Sequence, residues 1–229
     1  MHIPDGILPA QVCVAGYAIA APVAWYSLRR INKLPDPSAD IPKASLLTAA
    51  FFVASSISIP IPPASIHLVF NGLLGAVLGY YAFPAILIGL FFQAVILGHG
   101  GLTTLGVDAV MMGVPALIAY QVFKLRHPLA RRIRPRLADG FCGFLAGAVG
   151  IAIATLIFCS LVITNIPSGF DSATERTAIY GLSLAHIPLA LIEGVFTAML
   201  VLFLQQVKPE LLQDSPRRSQ RRREEVERV

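Results

Sequence analysis

The chain has 229 residues, of which 55% are hydrophobic and only 14% are charged. Soluble domains carry roughly 25% charged residues, so this composition, with a mean hydropathy of +0.70, excludes a soluble enzyme held by one membrane anchor. A membrane-spanning helix takes about 20 apolar residues, and the length leaves room for roughly six to eight of them. The net charge is +5, and its meaning depends on where the charges lie rather than on their sum.

Seven apolar segments follow one another along the chain, and each is predicted to be a membrane-spanning helix. The segments are 7–28, 44–60, 66–82, 84–98, 105–123, 138–164 and 183–206. Because Pro60, Pro62 and Pro63 end helices, residues 59–65 are predicted to be a connection. The expected fold class is therefore all-α, a polytopic membrane helix bundle in residues 1–206. Residues 207–229 are predicted to be a basic, disordered cytoplasmic tail.

The positive charges gather on one side of these seven segments. With the N-terminus outside, the loops 29–43, 80–84 and 124–136 and the tail 207–229 lie in the cytoplasm. They then hold every one of the 18 Lys and Arg residues except Arg176. Cytoplasmic loops are enriched in Lys and Arg, so the pattern predicts seven spans with the N-terminus outside and the C-terminus in the cytoplasm. The arginine-rich tail is interpreted as a lipid-facing orientation signal rather than a nucleic-acid site.

Polar side chains at membrane depth are costly unless they are paired or line a wet cavity. They are His67, Asn71, Gln93, His99, Asp108, His186 and Glu193. The predicted topology brings three of them, His67, His99 and Asp108, to the outer side, together with the N-terminus. The three cysteines lie in apolar stretches and are interpreted as packing residues.

The N-terminus offers a metal chelate. The amine of Met1, the backbone nitrogen of His2 and the imidazole Nδ1 of His2 can close a five-membered and a six-membered ring around one ion. Three nitrogens then lie in one plane and leave a fourth position for another imidazole. Such ligation suits Ni(II) or Cu(II), and Co(II) can be held similarly, whereas Zn(II) prefers a tetrahedron. The alternative is that His2 is a frayed terminal residue without a role.

Four motifs carry a resemblance to a known family. They are MHIPDGILP at 1–9, SIHLVFNGLLG at 65–75, AFPAILIGL at 82–90 and GHGGLTTLGV at 98–107. Together they resemble the CbiM/NikM family, the substrate-binding components of energy-coupling-factor type cobalt and nickel transporters. The resemblance implies import of divalent cobalt or nickel across the cell membrane, with Met1, His2 and His67 as the metal ligands and no permanently bound cofactor.

The resemblance also implies partners in the lipid bilayer and beyond it. These are a CbiQ-like membrane coupling subunit and CbiO-like ATPases, with room for a small CbiN-like accessory membrane protein; no nucleic acid is expected. The chain has no Gly-x-x-x-x-Gly-Lys-[Ser/Thr] loop, so ATP hydrolysis is expected in separate subunits and the chain is not predicted to be an enzyme.

Three further residues are candidates to support the ligands or to guide the entering ion: Asn71, His99 and Asp108. If 66–82 is a helix, Asn71 lies one turn after His67 on the same face and can orient its ring. The rival function is an intramembrane hydrolase, with Ser65 or Thr103 as the nucleophile and His67 or His99 as the base. The sequence contains no Gly-x-Ser-x-Gly elbow in its favour.

Overall fold

The computed structural model describes residues 2–61, 64–166 and 172–212, and these are almost entirely helical. The helices are α1 (Ala10–Ile31), α2 (Ile41–Ser56), α3 (Asn71–Leu78), α4 (Ala82–Phe92), α5 (Leu105–Lys124), α6 (Arg126–Leu129), α7 (Pro135–Thr164) and α8 (Ser172–Val207). Short 3-10 turns cover Gly79–Tyr81 and Pro209–Leu212, and a π turn at Gln93–Leu97 continues α4.

Five helical runs are long and apolar enough to cross a membrane. They are Ala10–Ile31, Asn71–Leu97, Leu105–Leu129, Pro135–Thr164 and Ala173–Val207, while Ile41–Ser56 is a shorter apolar helix. Large apolar side chains such as Trp25, Leu46 and Leu184 are exposed on these helices, as expected where a helix faces lipid. The chain is therefore a multi-pass membrane protein.

The connection after α2 differs from the all-α expectation. Strands β1 (Ser58–Ile61) and β2 (Ala64–His67) form an antiparallel hairpin in which Ser58 lies opposite His67. Helix α2 ends at Ser56 rather than at residue 60 because Pro60 removes a backbone N–H and disfavours a helical conformation at the residue before it. Two of the three prolines, Pro62 and Pro63, lie outside the described residues.

The predicted helix over 66–82 is also wrong. His67 ends strand β2, and α3 begins only at Asn71, after Phe70 turns the backbone into the left-handed region with a φ of 52°. Helix α3 has 8 residues and is about 12 Å long. Gly79, with a φ of 60°, ends α3 and separates this helix from α4.

Contacts show in which direction α3 and α4 run. We call the end that holds residues 2–9 and the hairpin the site end, and the end where α1 and α5 finish the opposite end. Asn71 Nδ2 donates to the carbonyl of Gly150, midway along α7, at 3.0 Å. The ring of Tyr80 packs 5.2 Å from that of Tyr120, close to the last turn of α5. Helix α3 therefore runs to the opposite end, and α4 returns to the site end.

All eight residues of α3 are buried, so this helix forms the centre of the bundle. Small residues let it approach its neighbours closely. A Cβ on Gly75 would lie 2.0 Å from the carbonyl oxygen of Ala116 in α5, and one on Gly72 would lie 2.3 Å from that of Ala146 in α7. Any side chain at either glycine would force α3 away from these helices.

The described structure continues past residue 206 to Leu212. The turn Pro209–Leu212 packs at the opposite end, where Leu212 is buried. Lys43 donates to the carbonyl of Leu211 at 3.2 Å, and the guanidinium of Arg126 donates to that of Leu212. The tail residues 213–229 lie outside the described part of the chain.

Candidate metal site

The segment 2–9 folds back onto the start of α5 and is tied there by Asp5. The Asp5 carboxylate accepts the backbone N–H of Leu102 at 3.2 Å and that of Thr103 at 2.9 Å, and it also accepts the Thr103 hydroxyl. The side-chain hydrogen bond from Thr103 is the main cause that lowers the pKa of Asp5. A negative charge here also complements the positive end of the α5 dipole.

The peptide groups of Ile3 are fixed on both sides. Its N–H donates to the Asp108 carboxylate at 3.2 Å, and its carbonyl accepts the Thr104 hydroxyl at 2.6 Å. The Ile3 side chain is 1% exposed and packs against Leu8 and Val107. His2, the next residue towards the terminus, is thereby held at a defined place at the mouth of the bundle.

Two glycines allow this close approach. Gly100 has a φ of +77°, and a Cβ there would lie 2.9 Å from the Asp108 carboxylate and 3.6 Å from the His2 Cβ. A Cβ on Gly101 would lie 1.9 Å from an Asp5 oxygen. The loop between α4 and α5 can therefore accept the folded N-terminal segment only without side chains at these positions.

Gln93 orients the His2 ring. The Nε2 of His2 lies 2.7 Å from the Gln93 carbonyl oxygen, which can only accept, so Nε2 carries the proton. The Gln93 amide nitrogen donates in turn to the Ser55 hydroxyl and to the Phe52 carbonyl, which fixes the carbonyl oxygen towards His2. Burial lowers the pKa of His2 well below its usual value, so the ring is neutral and Nδ1 bears the lone pair.

His67 lies next to His2 at the end of β2. The two ring centroids are 5.0 Å apart and the ring planes are inclined by 73°. The His67 Nδ1 donates to the carbonyl oxygen of Leu68 at 3.2 Å, so Nε2 bears the lone pair. Burial is the main cause that lowers the pKa of His67 to about 3. Two neutral imidazoles with assigned lone pairs thus lie side by side, and neither needs to lose a proton to bind a metal.

The three residues predicted to support the ligands, Asn71, His99 and Asp108, lie in different positions relative to His2 and His67. The His99 ring centroid is 6.2 Å from that of His2, and Asp108 holds Ile3 as described above. The expectation for Asn71 is wrong in its premise, because His67 is in a strand and shares no helical face with it. Asn71 instead donates to Gly150 and accepts the N–H of Gly72.

Sequence reasoning missed the roles of Asp5, Gln93 and Thr104. Gln93 stands out as a polar residue in an apolar segment, which is a signal, but nothing in the sequence names His2 as its partner. Asp5 and Thr103 are 98 positions apart, so their contact has no local pattern. In the sequence, nothing distinguishes Thr104 from other residues that precede a helix. Its role follows from its hydrogen bond to the Ile3 carbonyl.

Met1 lies outside the described residues. Among residues 2–61, 64–166 and 172–212, no group of three or more His, Cys, Asp and Glu side chains converges to hold a metal.

The hydrolase alternative gains no support from the site. The Thr103 hydroxyl donates to the Asp5 carboxylate rather than to a histidine. A hydroxyl engaged in this way is not activated by an imidazole base, which the alternative requires. Of Ser65 only the backbone is described.

Comparison with known proteins gives one consistent family. The sequence model of one protein family, the cobalt uptake substrate-specific transmembrane region CbiM, matches residues 2–211 of this chain. The cobalt transport protein CbiM of Sorangium cellulosum is 34% identical over 221 residues, covering 93% of this chain and 94% of that protein. That of Geobacter sulfurreducens is 32% identical over 219 residues, covering 93% of this chain and 61% of that protein. The crystal structure of a truncated transition metal transporter shares the fold, with a TM-score of 0.72, 23% identity and coverage of 90% of this chain and 99% of that one.

Proposed function

Because the chain belongs to the CbiM family of cobalt uptake transmembrane proteins, we propose that it captures divalent cobalt or nickel for an ATP-driven importer of the energy-coupling-factor type. The ion binds in a plane of four nitrogens. These are the amine of Met1, the backbone nitrogen and Nδ1 of His2, and Nε2 of His67.

One observation carries the ligand assignment: the hydrogen bonds of the two rings leave the lone pairs on the nitrogens that the chelate needs. The six-membered ring requires Nδ1 of His2, and the bond from Nε2 to Gln93 leaves the lone pair there. The bond from Nδ1 of His67 to Leu68 leaves the lone pair on Nε2. All-nitrogen planar ligation favours Ni(II), and Co(II) can be held similarly.

The arrangement of the helices supports the seven-segment topology. Helices α1, α3, α5 and α8 run away from the site end, and α2, α4 and α7 run towards it. Helix α3 is the short member: it has 8 residues and begins beside Gly150, midway along α7. The Lys and Arg residues of the loops 29–43 and 124–136 lie at the opposite end, which under the positive-inside rule supports an outer position for the site end.

Partner subunits supply the energy in this proposal. The sequence has no phosphate-binding loop, so a CbiQ-like coupling subunit and CbiO-like ATPases are the expected partners in the cell membrane. A small CbiN-like accessory membrane protein is a further partner in this proposal.

The test is metal binding by the purified protein. Ni²⁺ and Co²⁺ are titrated by equilibrium dialysis into the native chain, a chain extended by a few residues before Met1, and His2→Ala and His67→Ala variants. The three altered proteins are expected to lose at least about 100-fold in affinity, because each lacks a ligand or the free amine. His127→Ala, at the opposite end, is the matched control and should bind like the native chain. Stoichiometric binding by the extended chain would contradict the proposal.

A further inference from the structure

Glu193 is a fully buried carboxylate in the middle of α8. Its two oxygens accept the N–H groups of consecutive residues, Val69 and, at 2.9 Å, Phe70. These N–H groups belong to the connection between strand β2 and helix α3. Non-helical backbone inside a membrane bundle needs such internal partners, because no lipid group can supply them.

The hydrogen bond between Glu193 and the Val69 N–H also affects the orientation of the Leu68 carbonyl. The peptide group that joins Leu68 to Val69 contains both the Val69 N–H and the Leu68 carbonyl. That carbonyl accepts Nδ1 of His67 at 3.2 Å. Because a peptide group is planar and its N–H and C=O point in opposite directions, fixing the N–H at Glu193 fixes the direction of the carbonyl at His67.

We propose that Glu193 is a positioning residue for metal capture: its carboxylate orients the Leu68–Val69 peptide group, which in turn holds His67 with the proton on Nδ1 and the lone pair on Nε2. The inference rests on the proposed function, in which Nε2 of His67 is a metal ligand. A carboxylate bonded directly to a metal-binding histidine is a common arrangement in proteins; here one peptide group lies between the two.

The connection also requires a carboxylate rather than another acceptor. Two adjacent N–H groups point at one side chain, and a glutamine has only one oxygen to offer and would turn its NH₂ towards the second donor. Phe70 holds a left-handed backbone, with a φ of 52°, a conformation that non-glycine residues adopt rarely. The paired hydrogen bonds to Glu193 stabilise this turn, which sets the distance between His67 and α3.

The first test measures the tautomer of His67 without metal. In protein labelled with ¹⁵N at histidine, the nitrogen chemical shifts of His67, assigned with His67→Ala, show which ring nitrogen carries the proton. The native chain is expected to have the proton on Nδ1, and Glu193→Gln is expected to shift the population towards Nε2. A native ring protonated on Nε2, or an unchanged tautomer in Glu193→Gln, overturns the inference.

The matched control is Thr197→Val, because Thr197 is equally buried one turn further along α8 and its hydroxyl has no hydrogen-bond partner in the described structure. It should leave the tautomer unchanged. If Glu193→Gln yields no folded protein, Glu193→Asp keeps the charge but is one methylene shorter, and the same shift is expected. An unchanged tautomer in that variant overturns the inference equally.

The second test separates this inference from the proposed function. Glu193→Gln should weaken Ni²⁺ binding about 10-fold to 100-fold, the usual effect of losing a partner of a ligand. In a His67→Ala background it should cause no further loss, because Glu193 acts through His67. Additive losses, or native affinity in Glu193→Gln, overturn the inference while the proposed function stands. Native affinity in His67→Ala alone overturns the proposed function.

Discussion

At the scale of single residues, the hydrogen bond from His2 to Gln93 leaves the lone pair of His2 on Nδ1, the nitrogen that the proposed metal site uses. Gln93→Met keeps the length of the side chain but removes the oxygen that accepts Nε2–H. We expect Ni²⁺ affinity to fall about 10-fold to 100-fold, because the ring is then free to adopt the other tautomer. The measurement is a titration beside Ser55→Ala, which removes a partner of the Gln93 amide nitrogen but keeps the oxygen that faces His2, and which should have a smaller effect. Equal affinities for the native chain and Gln93→Met would contradict this role.

The pH dependence of binding in the proposed site comes from the amine of Met1 and the peptide nitrogen of His2, because each gives up a proton when it binds the ion. Because burial keeps His67 neutral, with a pKa of about 3, and lowers the pKa of His2 well below its usual value, protons do not compete for the imidazoles near neutral pH. The amine of Met1, with a reference pKa of about 7.7–8.0, must lose its proton to bind.

Affinity is therefore expected to fall as the pH is lowered from 8 to 6, as the amine becomes protonated. Titrations with Co²⁺ and Ni²⁺ at pH 8, 7 and 6 measure this fall. A constant affinity across that range would argue against the amine as a ligand.

At the scale of elements, Asp5 joins the N-terminal segment to α5. Asp5→Asn keeps the shape but removes the charge that two N–H groups and a hydroxyl share. We expect the segment to detach more often, which should weaken metal binding by up to about tenfold and speed amide hydrogen exchange at Ile3. Asp36→Asn, at the opposite end, is the control. Unchanged exchange at Ile3 in Asp5→Asn would show that Asp5 does not hold the segment.

The sequence predicts the elements that depend on local composition and misses those that depend on distant partners. Hydropathy and charge locate α1, α5, α7 and much of α8, because each is a long apolar run. Residues 66–82 look equally apolar, yet the left-handed turn at Phe70 divides them. That turn is supported by Glu193, which is 123 positions away. Likewise, the motifs name His2 and His67, whereas their partners Gln93 and Leu68 follow only from the folded chain.

At the scale of the whole molecule, the turn Pro209–Leu212 fastens the opposite end of the bundle. Its carbonyls accept Lys43, at the start of α2, and Arg126, in α6. Truncation after Val207 removes these acceptors, and we expect the melting temperature in detergent to fall by several degrees. Truncation after Leu212 keeps the acceptors and is the matched control, with an unchanged melting temperature. Equal melting temperatures for the two truncations would show that the turn does not stabilise the bundle.

The two histidines are anchored to different helices. The segment that carries His2 is held at the start of α5 by Asp5, Thr104 and Asp108, and the His2 ring is also held by Gln93 after α4. The peptide group that contacts His67 is held by Glu193 of α8. An ion shared by both rings is thus a cross-link between α5 and α8. Thermodynamic reciprocity then requires that any partner that separates these two helices lowers the affinity for the ion, and that the bound ion resists the separation by the same free energy. Whether the proposed site holds an ion is in this way coupled to the separation of α5 and α8 at the surface of the bundle.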